Sequence, residues 1–234
     1  MITITDLQKS YRDRVVLQIP ELCVPAGSRW ALIGPNGAGK STFLRILAGV
    51  LEADKGTVSI PEPMRDGLGY MPQQPYAFGV SVTQNVLMAL SGFSDGRKRA
   101  GEAIRLVGLE ELAEARGSGL SGGETQRMAL ARMIARPRKL LLLDEPASAT
   151  DISGGRRIEE AVTAYWKSTG CTLLFSTHSL AQAYRLADQV LLFSQGRIVE
   201  SGPVEQVLKA PSSPEGRDFL QYWTPGEASS KRFP

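Results

Sequence analysis

A nine-residue stretch of the chain combines three glycines with a lysine and two hydroxyl side chains. Its spacing fits G-x-x-x-x-G-K-[ST], in which the glycines allow several backbone N–H groups to turn inward onto a phosphate chain. Lys40 adds a positive charge at the β- and γ-phosphates, and the Ser41 hydroxyl suits Mg²⁺, which takes oxygen ligands. The residues predicted to bind the triphosphate are Gly34, Pro35, Asn36, Gly37, Ala38, Gly39, Lys40, Ser41 and Thr42.

Two acidic residues follow the apolar run Leu140–Leu143. If this run is a buried strand, Asp144 and Glu145 lie at its carboxyl end, where α/β sheets bind ligands. Asp144 is then predicted to hold Mg²⁺, directly or through water, and Glu145 to polarise the attacking water at the γ-phosphate. A solvated Asp-Glu turn is the alternative, which the phosphate-binding loop elsewhere in the chain makes the weaker interpretation.

A second glycine-rich segment has the spacing of a helix start. Ser121 and Glu124 fit a capping box, so a helix is predicted from Ser121 to about Arg136, ended by Pro137. Two successive glycines in the first turn do not favour a helix, which indicates that another group approaches closely there. A bare helix N-terminus suits a phosphate.

Hydrophobic patterns predict the elements that position these residues. Alternating apolar residues from Ile2 to Ile19 predict a β hairpin or meander with one buried face. Continuous apolar runs at 140–143, 172–175 and 190–193 are typical of strands in a parallel sheet that is covered on both faces. Between 81 and 136 the apolar spacing is helical throughout, which predicts an inserted helical lobe.

The predicted fold class is therefore α/β, a P-loop NTPase core with an N-terminal antiparallel β subdomain and an inserted all-helical lobe. We expect one ATPase domain over residues 1–210, with its core at 1–78 and 137–210 and its lobe at 79–136. Residues 211–234 are expected to form a loosely packed C-terminal tail, because they are rich in Pro, Ser and Gly.

Composition excludes several classes of protein. The 234 residues are 42% hydrophobic and 22% charged, which argues against a disordered chain. A net charge of +3 with interspersed signs predicts no nucleic-acid partner. Two distant cysteines and one histidine predict neither a disulfide framework nor a zinc site. With no apolar stretch of about 18 residues, we expect a soluble chain that could still bind a membrane partner.

The phosphate-binding loop, the segment LSGGE and the sequence DEP occur in this order, with a helical insert before LSGGE. In this combination the chain resembles the nucleotide-binding subunit of an ATP-binding-cassette (ABC) transporter, over residues 1 to about 208. LSGGE is the specific element, since other P-loop ATPases, kinases and GTPases lack it. The resemblance makes it the signature segment, whose residues meet the ATP of a partner subunit: Leu120, Ser121, Gly122, Gly123 and Glu124.

The resemblance also implies roles for single residues. Tyr11 matches the aromatic that stacks on adenine, and the sole histidine, His178, matches the switch that contacts the γ-phosphate. Gln73 matches the glutamine that touches Mg²⁺ and the water and senses the membrane subunit, although the adjacent Gln74 is the alternative. Asp151 matches the loop that crosses the dimer interface.

What the resemblance implies as a whole is an ATP hydrolase at the cytoplasmic face of the membrane, with ATP and Mg²⁺ as cofactors. Two copies pair head to tail and drive a separate multi-span permease, supplied by an extracytoplasmic solute-binding protein. One P-loop and no spanning segment favour an importer. The ending, through Phe219–Leu220, resembles subunits of tungstate-type oxyanion importers.

Three alternatives remain at this point. The chain could be the ATPase subunit of an exporter, since some exporters also use separate subunits. It could be a soluble ABC ATPase of translation or DNA repair, but it has neither a second cassette nor a long coiled-coil insert. A non-catalytic partner with a broken site is disfavoured, because Lys40, Asp144, Glu145 and His178 are all present.

The segment 75–82 is expected to border the permease groove, with Tyr76 and Phe78 either exposed there or part of the lobe core.

Overall fold

The computed structural model describes residues 1–12 and 14–221. Strands β1 to β9 of this part span Ile2–Tyr11, Arg14–Val24, Arg29–Ile33, Lys55–Ser59, Leu68–Met71, Leu140–Asp144, Thr172–Ser176, Gln189–Ser194 and Arg197–Pro203. Helices α1 to α9 span Lys40–Leu47, Glu62–Asp66, Val82–Leu87, Gly96–Leu106, Gly122–Ile134, Ile152–Thr169, Leu180–Leu186, Val204–Lys209 and Pro214–Gln221. Short 3-10 turns lie at Met88–Leu90, Glu110–Leu112 and Gly117–Gly119.

The first strands form a small antiparallel sheet of order β2-β1-β4. Alternation explains it, because Ile2, Ile4 and Leu7 are buried in β1, as are Leu17 and Ile19 in β2. The predicted hairpin is therefore confirmed, with β4 added antiparallel on the other side of β1.

The larger sheet has the strand order β5-β6-β7-β3-β8-β9, and all pairs are parallel except β8 with β9. Every residue of β6 and of β7 is buried, as the continuous apolar runs predict. Because parallel strands end at one edge, the segments that follow β3, β5, β6 and β7 meet there. These are the segments that carry the predicted chemistry.

Each face of the larger sheet has its own hydrophobic core. One face, with Leu32, Leu142 and Leu174, packs against α1 and the small sheet. The other face, with Leu143 and Phe175, packs against helices α3 to α8. The fold class predicted from the sequence is confirmed: an α/β core with an antiparallel sheet at its start.

Residues 79–136, all of them described, hold α3 to α5 with 3-10 turns and one isolated β-bridge between Ser81 and Arg116. Ser81 and Gln84 form a capping box at the start of α3. The division of the chain after residues 78 and 136 stays a prediction. Among the described residues, no helix has both the length and the apolar character needed to cross a bilayer.

The described end of the chain differs from the loosely packed tail that composition suggests. Helix α9 is attached to β9 by Glu200, whose carboxylate accepts hydrogen bonds from the backbone N–H and hydroxyl groups of Ser212 and Ser213, at 2.6–3.1 Å. Composition alone could not indicate this, because the acceptor lies on a distant strand. The rest of the predicted tail, residues 222–234, lies outside the described residues.

Candidate nucleotide site

A cavity of about 880 Å³ opens at the carboxyl edge of the larger sheet. It collects residues from six separate parts of the chain, including all of the predicted phosphate-binding loop. Its lining consists of Tyr11, Val16, Gly34, Pro35, Asn36, Gly37, Ala38, Gly39, Lys40, Ser41, Thr42, Gln73, Glu145, His178 and Phe219. The structure thus brings together most of the residues that the sequence predicts for triphosphate binding and hydrolysis.

The phosphate-binding loop turns tightly between β3 and α1. Gly34 has φ +137°, and a Cβ there would lie 2.1 Å from the carbonyl oxygen of Phe193, so only glycine fits. Helix α1 begins at Lys40 with no side-chain cap on its first turn. Uncapped N–H groups at a helix start favour an anion.

Lys40 is buried at the base of this loop. Its Nζ donates to the carbonyl oxygens of Gly34 and Pro35, at 2.7 and 3.0 Å. Burial lowers the pKa of Lys40, and the charges of Glu145 and Asp144 oppose that shift. A phosphate would add a negative charge next to this lysine and stabilise its charged form.

Asp144 ends β6 and is fully buried. Its Oδ1 accepts from the hydroxyls of Ser41, at 2.9 Å, and Ser176, at 2.6 Å. Its Oδ2 is buried and has no hydrogen-bond partner among the described residues. A buried carboxylate oxygen without a donor, next to a hydroxyl, fits a site for Mg²⁺ or one of its waters.

The described residues contain no group of three His, Cys, Asp or Glu side chains able to hold a metal. Any Mg²⁺ here would depend on the Ser41 hydroxyl, the Asp144 carboxylate and the Gln73 side chain, together with water and phosphate oxygens. That is how Mg²⁺ is commonly bound beside a nucleotide, because it keeps several waters.

Glu145 has a strained backbone, with φ +47°, which is uncommon for a residue other than glycine. Its N–H donates to the Ser176 hydroxyl at 2.9 Å. Its Oε2 accepts from Gln73 Nε2 at 3.2 Å and lies 3.5 Å from His178 Nδ1. Gln73, and not the adjacent Gln74, reaches the cavity.

Two further side chains of the cavity were not among the sequence candidates. Val16 and Phe219 line it together with Tyr11, which is 49% exposed. Phe219 belongs to α9 and packs against the core on one side. No local signal marks either residue, since both reach the cavity only through the pairing of strands and the docking of α9.

The signature segment, Leu120–Glu124, lies at the start of α5 and does not line this cavity. Ser121 and Glu124 form the predicted capping box, in which Glu124 Oε2 accepts from the Ser121 N–H at 2.8 Å. A Cβ on Gly123 would lie 3.1 Å from the carbonyl oxygen of Ala149, a tight contact that favours glycine at this position.

Asp151 caps the N-terminus of α6, where its Oδ1 accepts from the Gly154 N–H at 2.7 Å. The backbone N–H of Gly154 and the hydroxyl of Ser153 hold the pKa of Asp151 below its usual range. A second cavity, of about 400 Å³, borders Asp151, Glu145 and His178. The neighbouring Ile152 is 92% exposed, which the sequence did not single out.

A family profile described as "ABC transporter" matches residues 17–148 of the chain. The phosphate import ATP-binding protein PstB 2 of Natronomonas pharaonis is 34% identical, over 94% of this chain and 86% of that protein. The molybdate/tungstate import ATP-binding protein WtpC of Thermococcus kodakarensis is 32% identical, over 95% of this chain and 71% of that protein.

Solved structures give the same result for the fold. A dimeric ATP-binding cassette in a post-hydrolysis state, with ADP and Pi bound, aligns with a TM-score of 0.80 at 24% identity, over 87% of this chain and 99% of that one. A bacterial Atm1-family ABC exporter with ATP bound aligns with a TM-score of 0.84 at 27% identity, over 97% of this chain and 42% of that one.

Proposed function

The chain belongs to the ABC transporter family, and from this premise we propose that it drives an importer of a tetrahedral oxyanion of the tungstate or molybdate type. It is an ATP-binding subunit whose ATP hydrolysis is coupled to transport. The observation that carries its chemistry is that Lys40, Ser41, Glu145 and His178 all line one cavity.

In this proposal the chain's own residues divide the work of hydrolysis. Lys40 and the N–H groups of the phosphate-binding loop bind the β- and γ-phosphates. Lys40 exchanges its hydrogen bonds to the two loop carbonyls for bonds to phosphate oxygens. Ser41 and Asp144 hold Mg²⁺, which when bound neutralises charge on the phosphates. Tyr11 stacks on the adenine ring.

Glu145 is proposed as the residue that orients the attacking water and accepts its proton as the water oxygen bonds to the γ-phosphorus and the bond from that phosphorus to the bridging oxygen of ADP breaks. The 3.5 Å distance from its carboxylate to His178 supports a pair in which the histidine faces the γ-phosphate. Gln73 bonds the same carboxylate oxygen, which supports a role in placing Glu145 and in contacting Mg²⁺ and the water.

The signature segment provides the argument for a second copy. It lies outside the chain's own cavity, although the two glycines in the first turn of α5 would let a phosphate approach the backbone N–H groups there. We propose that two copies pair head to tail, so that Ser121–Gly123 of each closes the cavity of the other. Asp151 and the exposed Ile152 would then lie at the shared interface.

The permease is proposed to dock beside the lobe at Tyr76 and Phe78, which are 70% and 41% exposed. Their rings meet edge to face at 5.1 Å, and the Arg132 guanidinium lies over Phe78. Exposed aromatic side chains with a nearby arginine are typical of protein interfaces. In this proposal the chain acts at the cytoplasmic face of the membrane, as a peripheral subunit.

The named relatives favour import of an oxyanion over export. Besides phosphate and molybdate/tungstate, they include a sulfate/thiosulfate import protein of Mycolicibacterium paratuberculosis, 35% identical over 94% of this chain and 64% of that protein. An exporter subunit is the second candidate, since the Atm1-family exporter has the same cassette fold.

The proposal is tested by searching the neighbouring genes for a multi-span permease, purifying the chain with it and placing both in vesicles. ATPase activity is then measured with the neighbouring solute-binding protein and with tungstate, molybdate, sulfate or phosphate, each at the same concentration. Stimulation by tungstate or molybdate, with uptake of the anion, is expected. An ATPase that responds to no permease contradicts the transport role, and stimulation by sulfate or phosphate but not by tungstate or molybdate contradicts the proposed substrate.

A further inference from the structure

Gln126 is a buried amide that joins helix α5 to the loop after β6. Only 2% of its surface is exposed. Its Nε2 donates to the Ser148 hydroxyl at 3.0 Å and to the Glu145 carbonyl oxygen at 3.4 Å, and its Oε1 accepts from the Ala149 N–H at 2.9 Å. All three bonds go to one loop, residues 145–151, and both amide hydrogens are used.

The two sides of this connection face different ATP molecules in the proposed dimer. Helix α5 begins at the signature segment, which meets the partner's ATP, whereas Glu145 lines the chain's own cavity. Gly123 adds a second contact, since a Cβ there would lie 3.1 Å from the Ala149 carbonyl and 3.3 Å from Thr150 Cα. The start of α5 and the loop 145–151 are therefore packed as one unit.

We propose that Gln126 is a positioning residue that couples the two ATP sites, an inference that rests on the head-to-tail pairing of the proposed function. When the partner's ATP binds and shifts the first turn of α5, the side-chain amide of Gln126 transmits this shift to the backbone of Glu145. That backbone has φ +47°, a conformation that persists only where its neighbours hold it. The partner's ATP thus helps to set the carboxylate that acts on the chain's own ATP.

The test is Gln126→Met, which keeps the length of the side chain and removes its hydrogen bonds. We expect kcat for ATP hydrolysis to fall by about tenfold, because the loop 145–151 loses the three hydrogen bonds that Gln126 makes to it. KM for ATP should change by less than about twofold, since no residue of the phosphate-binding loop is touched. The Hill coefficient for ATP should clearly exceed 1 in the parent, which indicates coupled sites, and fall to about 1 in the variant.

Three further variants separate coupling from a general loss of structure. Gln182→Met removes another buried amide, 4% exposed, which bonds Glu159 instead of the loop 145–151, and should leave the Hill coefficient unchanged. Ser148→Ala removes one bond of Gln126 at an exposed residue and should give a smaller loss in the same direction. Gln126→Glu keeps the acceptor for Ala149 and should fall between the parent and Gln126→Met.

Each result has one meaning for the proposal. It is supported if Gln126→Met alters kcat and the Hill coefficient while Gln182→Met does not. It is overturned if the parent has a Hill coefficient of about 1, if Gln126→Met equals the parent, or if both methionine variants lose activity alike. A parent that hydrolyses no ATP would instead overturn the proposed function, and the inference with it, so the two failures are told apart by the parent alone.

Discussion

Asp144 and Glu145 are adjacent in the chain, but their surroundings differ. Asp144 is fully buried between two serine hydroxyls, and one of its oxygens has no hydrogen-bond partner among the described residues. Glu145 turns through a positive φ, so that its carboxylate faces the cavity between Gln73 and His178. This difference supports the separate roles that we propose for them, one in holding Mg²⁺ and one in activating water.

The first prediction concerns Glu145→Gln. The amide keeps the shape of the side chain but cannot accept the proton of the attacking water, so hydrolysis should slow by about a hundredfold or more. Affinity for ATP should stay within about threefold of the parent, because the phosphate-binding loop is unchanged. Phosphate release and equilibrium binding of a fluorescent ATP analogue measure the two quantities. Hydrolysis equal to that of the parent would remove Glu145 from its proposed role.

The second prediction concerns Ser176→Ala. Ser176 donates to Asp144 and accepts from the Glu145 N–H, so its loss leaves that N–H without a partner. The free energy of unfolding should fall by about 1–3 kcal/mol, and kcat by roughly tenfold. Chemical denaturation and steady-state kinetics measure these effects.

A matched control for this prediction is Ser168→Ala, whose hydroxyl bonds the carbonyl of Tyr165 within α6. It should leave kcat unchanged. If Ser176→Ala hydrolyses ATP at the parent rate, Ser176 does not position the two acidic residues.

At the scale of residues, the sequence predicts side chains whose spacing is local. The phosphate-binding loop, the acidic pair and the signature segment are each contiguous in sequence, so their chemistry can be predicted without knowing the fold. Ser176, Gln126 and Phe219 were not predicted as site residues, because each reaches its partners only through strand order or helix packing. A serine at the end of a strand has no local pattern that marks it.

At the scale of elements, the attachment of α9 gives the third prediction. Glu200 holds Ser212 and Ser213, and α9 in turn brings Phe219 to the nucleotide cavity. Glu200→Ala should therefore increase hydrogen exchange at Ser212–Gly216 and weaken ATP binding about threefold, as should Phe219→Ala. The exposed Asp218, changed to Ala, is the control. Faster exchange with unchanged ATP affinity would show that α9 lies at the cavity without contacting the nucleotide.

This attachment should also depend on pH. Burial raises the pKa of Glu200, but hydrogen bonds from Ser213 and Ser212 outweigh it and hold the pKa below its usual range. The carboxylate form therefore stabilises the docked helix, and this contribution is lost as the pH falls through the lowered pKa. After correction for the intrinsic exchange rate at each pH, protection from exchange at α9 should fall in acid in the parent and remain constant in Glu200→Ala.

The elements differ in how well the sequence predicted them. Strands β6, β7 and β8 were predicted from continuous apolar runs, and the start of α5 from its capping box. Helix α9 was not predicted, because residues 210–218 read as Pro-, Ser- and Gly-rich and the stabilising carboxylate lies in β9. The order of the strands in the larger sheet could not be predicted from the sequence either, since apolar runs do not indicate which strands pair.

At the scale of the whole molecule, one chain provides only part of the proposed reaction site. Its cavity contains the groups for phosphate binding and water activation, but the signature segment lies elsewhere on its surface. A head-to-tail pair of copies is the closed arrangement in which both cavities are completed by symmetry. This is the central claim, and it predicts that ATP itself holds the two copies together.

The most direct test of this claim is the molar mass of the Glu145→Gln protein in solution, measured by light scattering with and without ATP and Mg²⁺. The mass should double with ATP, because the nucleotide is bound but not hydrolysed, and remain that of one chain with ADP. Adding Ser121→Arg to this protein should abolish the doubling while leaving ATP bound, since the larger side chain obstructs the signature segment. A protein that stays monomeric at saturating ATP, or that dimerises despite Ser121→Arg, would contradict the head-to-tail site.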